Sequence, residues 1–234
     1  MRACIAGVIK QSPFFHLLRN SVVKRRQADA LSVWERSGRP VPVPHLVKQA
    51  TLHEYANHYD LRILVETGTL YGDMVEAMRT RFDRIYSIEL SQALYEAAVI
   101  RFRKDKKIEI IQGDSGITLG QLMPRIDQPA LFWLDGHYSG GITARGAKDT
   151  PIFEELHHVL SSGVAGHVVI IDDARCFGMD PAYPTLDELF AFVGVLRPDV
   201  DLVVQNDSIR ITPRASSTSP GPAPSSDSQP LLRR

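Results

Sequence analysis

The sequence predicts an α/β fold, a doubly wound and mostly parallel seven-stranded sheet that closes with a C-terminal antiparallel hairpin. Three observations carry this expectation. Short apolar runs alternate with segments of helical period. The first run passes through an acidic residue and two glycines, "VETGTLYG", before residues that favour helix. Near the end, "VDLVVQNDSIRITP" reads as two short strands around a turn at Asn206 and Asp207.

Five apolar runs supply the parallel strands: "RILVET" at 62–67, "RIYSIEL" at 84–90, "KIEIIQG" at 107–113, "ALFWLDG" at 130–136 and "HVVIIDD" at 167–173. They are nearly continuous in apolar residues, as strands covered on both faces must be. The segments between them carry apolar stripes at helical spacing. Examples are Met74, Met78 and Phe82, then Leu94, Ala98 and Phe102, then Leu186, Leu189, Phe190 and Val193.

Residues 1–44 are expected to form an N-terminal helical segment and a proline-rich linker, 45–212 the folded domain, and 213–234 a disordered Ser/Pro-rich tail. The linker "RPVPVP" removes backbone donors and favours extended chain. The tail has almost no apolar residues to offset the entropy of ordering. In the first segment Phe14, Phe15, Leu17, Leu18 and Val22 form one face of a possible helix. That face packs on the domain or on a second copy as a homo-oligomer, or touches a membrane surface.

With 234 residues the chain can bury one sizeable core. Its 27 basic and 27 acidic residues give no reason to expect nucleic acid or an anionic membrane as partner, so a small-molecule acceptor is the better expectation. Cys4 and Cys176 stand far apart, which fits a reducing, cytoplasmic setting and argues against a disulfide framework or thiolate zinc. No run approaches the length of a transmembrane segment.

Ligands of an open parallel sheet bind beyond the carboxyl ends of its strands. Gly68 and Gly72 let a ligand approach the backbone of the first turn, although the spacing is neither GxGxxG nor a P-loop. Glu89 ends the second strand, 23 residues after Glu66, where a carboxylate can accept both hydroxyls of a ribose. Asp114 and Ser115 end the third, where an adenine edge would lie. Taken singly, each has a plain structural alternative: a glycine required by the turn, a solvated glutamate.

The fourth and fifth runs lead into "LDGHYSGG" and "IDDAR", which bring Asp135, His137, Asp172 and Asp173 to the same edge. Three converging carboxylates repel one another unless protonated, spread apart or neutralised by a hard cation such as Mg2+. Asp135 and His137 are the catalytic candidates, with His137 as the base. The alternative is that Asp172 and Asp173 cap a loop or helix while His137 bonds to the backbone. Between the two acidic sites, "YSGGITARGAKDTP" has the length of a lid or substrate loop, in which Arg145 and Lys148 meet an anionic acceptor or solvent.

The motifs "VETGTLYG", "IYSIELS" and "IQGDSG", followed by the reversed hairpin, resemble those of the class I, Rossmann-like S-adenosylmethionine-dependent methyltransferases over about residues 60–212. The resemblance implies that Glu66, Thr67, Gly68 and Gly72 surround the methionine part of the cofactor, that Glu89 holds its ribose and that Asp114 and Ser115 face its adenine. The acidic set is similar to that of metal-dependent O-methyltransferases of the catechol and antibiotic-sugar kinds, which implies metal ligands at Asp135, Asp172 and Asp173. "LDGHYSGG", "TPIFEEL" and "IDDAR" are most similar to little-characterised bacterial methyltransferase-like proteins. Two other functions fit the same residues: a metal-dependent hydrolase, disfavoured because Glu66 and Glu89 would repel a phosphate, and a cofactor-binding scaffold without turnover.

Overall fold

Alternation along the central strands sorts their side chains onto two faces, and each face meets its own set of helices. The computed structural model describes residues 13–136 and 150–214. Helix α1 (Pro13–Arg36) is followed by α2 (His45–His58), β1 (Ile63–Thr67), α3 (Asp73–Met78), β2 (Arg84–Glu89), α4 (Gln92–Phe102) and β3 (Ile108–Gln112). Next come α5 (Ser115–Leu122), β4 (Ala130–Leu134), α6 (Ile152–Leu160), β5 (Val168–Ile171), α7 (Leu186–Leu196), β6 (Val200–Gln205) and β7 (Ser208–Pro213).

The strand order is β3-β2-β1-β4-β5-β7-β6. The first five strands run parallel, and β7 lies antiparallel to both β5 and β6. On one face Ile63, Val65, Phe132, Leu134, Val169 and Ile171 pack against apolar residues of α5, α6 and α7. On the other, Leu64, Leu131, Trp133, Val168 and Ile170 pack with Leu52 and Ala56 of α2, Met74 and Met78 of α3, and Phe102 of α4. The expected doubly wound sheet with its terminal hairpin is therefore present.

Asn206 and Asp207 both adopt left-handed backbone, as a two-residue hairpin turn requires. Strand β7 ends at Pro213, the last residue of the expected hairpin and also the first assigned to the tail: Pro213 pairs with Val200, and Arg214 N–H donates to Asp199 O at 3.1 Å. The first residue assigned to a disordered tail thus belongs to the sheet. Pairing with β6 offsets the ordering cost that composition alone suggested would prevail. The rest of that tail lies outside the described residues, as do the side chains of the Phe14–Val22 face.

Strand order reverses between β1 and β4, so the crevice for a ligand opens at their carboxyl ends. Among the described residues, no helix is long and apolar enough to cross a membrane.

Candidate active site

Strand register sets the floor of the site. Thr67, Leu134 and Ile171 are lateral partners on β1, β4 and β5, so Gly68, Asp135 and Asp172 come next at the same edge. The ladder continues into these residues, with Asp135 N–H donating to Thr67 O at 3.2 Å and Asp172 N–H to Leu134 O at 3.0 Å. Gly68 has φ +85°, and a Cβ there would lie 2.5 Å from the Asp135 carbonyl oxygen. At Gly72, φ is +71° and a Cβ would lie 2.6 Å from the Phe102 ring. Both glycines therefore have a packing reason inside the protein, apart from any ligand.

The glycine turn is tied to β2. Gly68 and Thr69 N–H groups donate to Ile88 O at 2.9 and 3.2 Å. Glu89 is 5% exposed and accepts from Leu70 N–H at 2.8 Å on one oxygen and from Ser91 N–H at 2.9 Å on the other. Each carboxylate oxygen has a second acceptor position. Holding the turn and holding a diol are therefore compatible roles. Asp114 caps α5, accepting from Gly116 N–H at 2.9 Å, and Ser115 beside it is buried.

Glu66 is also buried, with Ser87 Oγ–H donating to it and Thr69 Oγ1 2.6 Å from Ser87 Oγ. Burial pushes its pKa up to about 8 against the opposing Ser87 hydrogen bond, with Glu89 and Asp73 adding repulsion. The adjacent Thr67 Oγ1 is buried and has no hydrogen-bond partner among the described residues.

Ligand oxygens of Asp135, Asp172 and Asp173 all lie within 4.8 Å of one another. Asp173 sits at φ 55° and ψ 45°, a left-handed conformation that aspartate adopts more readily than most residues. It is held there from the terminal hairpin. Arg175 donates to Asp173 at 2.8 Å and also to Asp207, whose Oδ1 accepts Arg175 N–H at 3.0 Å.

A cation already reaches this cluster. Lys48 of α2 donates to Asp172 and lies 3.7 Å from Asp173. Burial alone would lower its pKa, but attraction by Asp172, Asp135 and Asp173 outweighs burial and holds it raised. Asp172 is raised too, because desolvation and the Asp173 charge exceed the relief that Lys48 gives. Its second oxygen, Oδ1, is buried without a partner among the described residues. One ammonium among three carboxylates leaves the cluster acidic, and an all-oxygen donor set fits a hard divalent cation.

No family model matches the sequence, and no curated protein does. Solved structures do match. An SAH-bound O-methyltransferase from Bacillus cereus aligns over 80% of this chain and 90% of its own, with a TM-score of 0.54 and 15% identity. The SAH-bound methyltransferase PaMTH1 of Podospora anserina aligns over 87% and 98%, with a TM-score of 0.53 and 17% identity. A candidate rRNA methylase of Clostridium thermocellum aligns over 69% and 94%, with a TM-score of 0.51 and 11% identity. The chain has the Rossmann-like methyltransferase fold.

Within this methyltransferase fold Glu66, Thr67, Gly68, Asp135, Asp172 and Asp173 gather at the ends of β1, β4 and β5, with Gly72, Glu89, Asp114 and Ser115 at the neighbouring turns. His137, Arg145 and Lys148 lie outside the described residues. The sequence-based set lacks Lys48, although a local signal exists. Lys48 precedes the buried Leu52 and Ala56 at four-residue spacing, which puts a charge on the apolar stripe of α2. Arg175 and Asp207 carry no comparable signal, because their partnership spans 32 positions.

Proposed function

We propose that this protein is an S-adenosylmethionine-dependent methyltransferase that methylates a hydroxyl of a small acceptor, such as a sugar or natural product, with help from a divalent cation. The observation that carries the reading is the crevice itself: Gly68, Glu89 and three carboxylates within 4.8 Å meet at the strand-order reversal of a methyltransferase fold. Two of the matched structures are SAH-bound, which supports this choice of ligand. An RNA methylase shares the fold, so the fold does not separate acceptor classes. The preference for a small acceptor rests on the balance of 27 basic and 27 acidic residues, which provides no excess charge for phosphates.

In this reading Glu89 accepts from the ribose, while Glu66, Thr67 and the glycine turn enclose the methionine part of the cofactor. Asp114 and Ser115 border its adenine. The bound cofactor supplies the methyl group, and Mg2+ bound at Asp135, Asp172 and Asp173 would lower the acceptor hydroxyl's pKa. His137 receives the hydroxyl proton, and Asp135 orients the acceptor beside it. A cytoplasmic location and self-association through α1 complete the proposal.

Calorimetric titration of the full chain with SAH tests the cofactor assignment. Wild type is expected to bind, and Glu89→Ala to bind at least about tenfold more weakly, since hydrogen bonds to a charged group contribute about 1.5–3 kcal/mol. Absence of binding by the folded wild type would overturn the reading. The cation claim requires methyl transfer to stop in excess chelator and in Asp172→Asn while SAH binding persists; full activity in chelator would defeat it.

A further inference from the structure

Lys48 belongs to α2, outside the strand-end motifs, yet it enters the acidic cluster deeply. Its side chain is 17% exposed, and the side chains of Asp172 and Asp173 are 1% and 13% exposed. The ammonium is therefore a shielded counter-ion. Helix packing explains its arrival: Leu52 and Ala56 fix α2 on the face that carries Trp133 and Ile170, and Lys48 lies one turn before Leu52, toward the strand ends. Asp172 follows the same alternation as Ile170, so its carboxylate meets the helix on that face.

Resting on the cation reading of Asp135, Asp172 and Asp173, we propose that Lys48 is a tethered internal counter-ion that competes with the divalent cation for Asp172 and Asp173, and must withdraw for that cation to bind. Two positive charges within a few ångströms repel strongly in a partly desolvated site, so both occupants cannot keep the same carboxylate oxygens. Lysine suits this role because it is a compact charge on a flexible four-carbon stem, able to swing away while α2 stays packed. With the cation absent, Lys48 offsets part of the repulsion within the cluster. When the cation binds, the ammonium is released toward the crevice.

The competition predicts a change in metal affinity that is independent of turnover. Mn2+ binding to the full chain without cofactor would be followed by electron paramagnetic resonance of the free ion. Lys48→Met is expected to bind at least about tenfold more tightly than wild type, and Lys48→Arg, which keeps the charge, within about threefold of wild type. Equal or weaker binding by Lys48→Met overturns the competition and leaves the cation reading standing. No binding by either protein up to about 10 mM, an upper bound for a weak oxygen-ligand site, removes both.

A wild-type measurement covers a variant that fails to fold. Reductive methylation mapped by mass spectrometry should label Lys48 slowly in chelator and several-fold faster in saturating Mg2+. Unchanged labelling of Lys48 at a cation concentration that saturates binding overturns the proposal.

Discussion

The two ends of the parallel sheet handle charge in opposite ways. At the amino edge, carboxylates stay in contact with solvent and take arginine partners. The Arg197 hydrogen bond holds Asp199 down to about 2, and the Arg125 fork holds Glu109 below its usual value. At the carboxyl edge Glu66, Glu89 and Asp172 are buried. Desolvation drives Glu66 up to about 8 and raises Asp172 despite the nearby ammonium of Lys48. Strands can end in solvated ion pairs at little cost, so it is the buried acids of the carboxyl edge that lower stability.

This contrast is broken most severely at the glycine turn. Gly68→Ala combines an unfavourable positive φ with a Cβ 2.5 Å from the Asp135 carbonyl. It should displace the β4 edge, lower the melting temperature by roughly 6 °C or more and abolish SAH binding. A melting scan and a titration check it. Unchanged values would mean that the turn relaxes freely and does not set the site.

Glu66→Gln should have the next largest effect, with opposite signs for stability and binding. In wild type the folded-state pKa lies above the unfolded value, so this group's contribution is fully present below about pH 4.5 and is lost as pH rises toward 8. The variant removes that loss. Its apoprotein should gain on the order of 3 kcal/mol at pH 8 and almost nothing near pH 4, while SAH binds more weakly. Denaturant unfolding at the two pH values provides the test, and equal gains at both would contradict the buried-acid account.

At the opposite edge His167 shows how the sheet treats a buried base. Burial, aided by Arg197, lowers its pKa to about 4, and Nδ1 accepts Ala130 N–H at 3.2 Å. The unfolded chain binds the proton first, so stability is lost as pH falls from about 6.5 through 4. His167→Gln should remove about 2 kcal/mol of that acid sensitivity without changing SAH affinity. Asp199→Asn, at an exposed carboxylate whose partner Arg197 is partly covered, should shift the melting temperature by about 1 °C or less. A large loss there would undo the contrast between the two edges.

Much of this arrangement was legible along the chain. Nearly continuous apolar runs identified the five parallel strands, the Asn206–Asp207 turn marked the hairpin, and strand-end positions collected Gly68, Glu89, Asp135 and Asp172 at one edge. These features are local, because apolar runs and turn chemistry are set within a few residues. The tight fit behind each glycine was not legible, since Gly68 is constrained by Asp135 and Gly72 by Phe102, each from a different strand–helix unit.

The sequence by itself therefore determined the layers of this protein, the direction of its strands and the edge where its acids meet. Only the tertiary structure decided how those acids are compensated. Lys48 meets Asp172 across 124 positions, and Arg175 joins Asp173 to the hairpin turn at Asp207. Residue periodicity chooses which face of an element is buried, but the packing of α2 on the sheet and the insertion of β7 beside β5 choose which charges become neighbours.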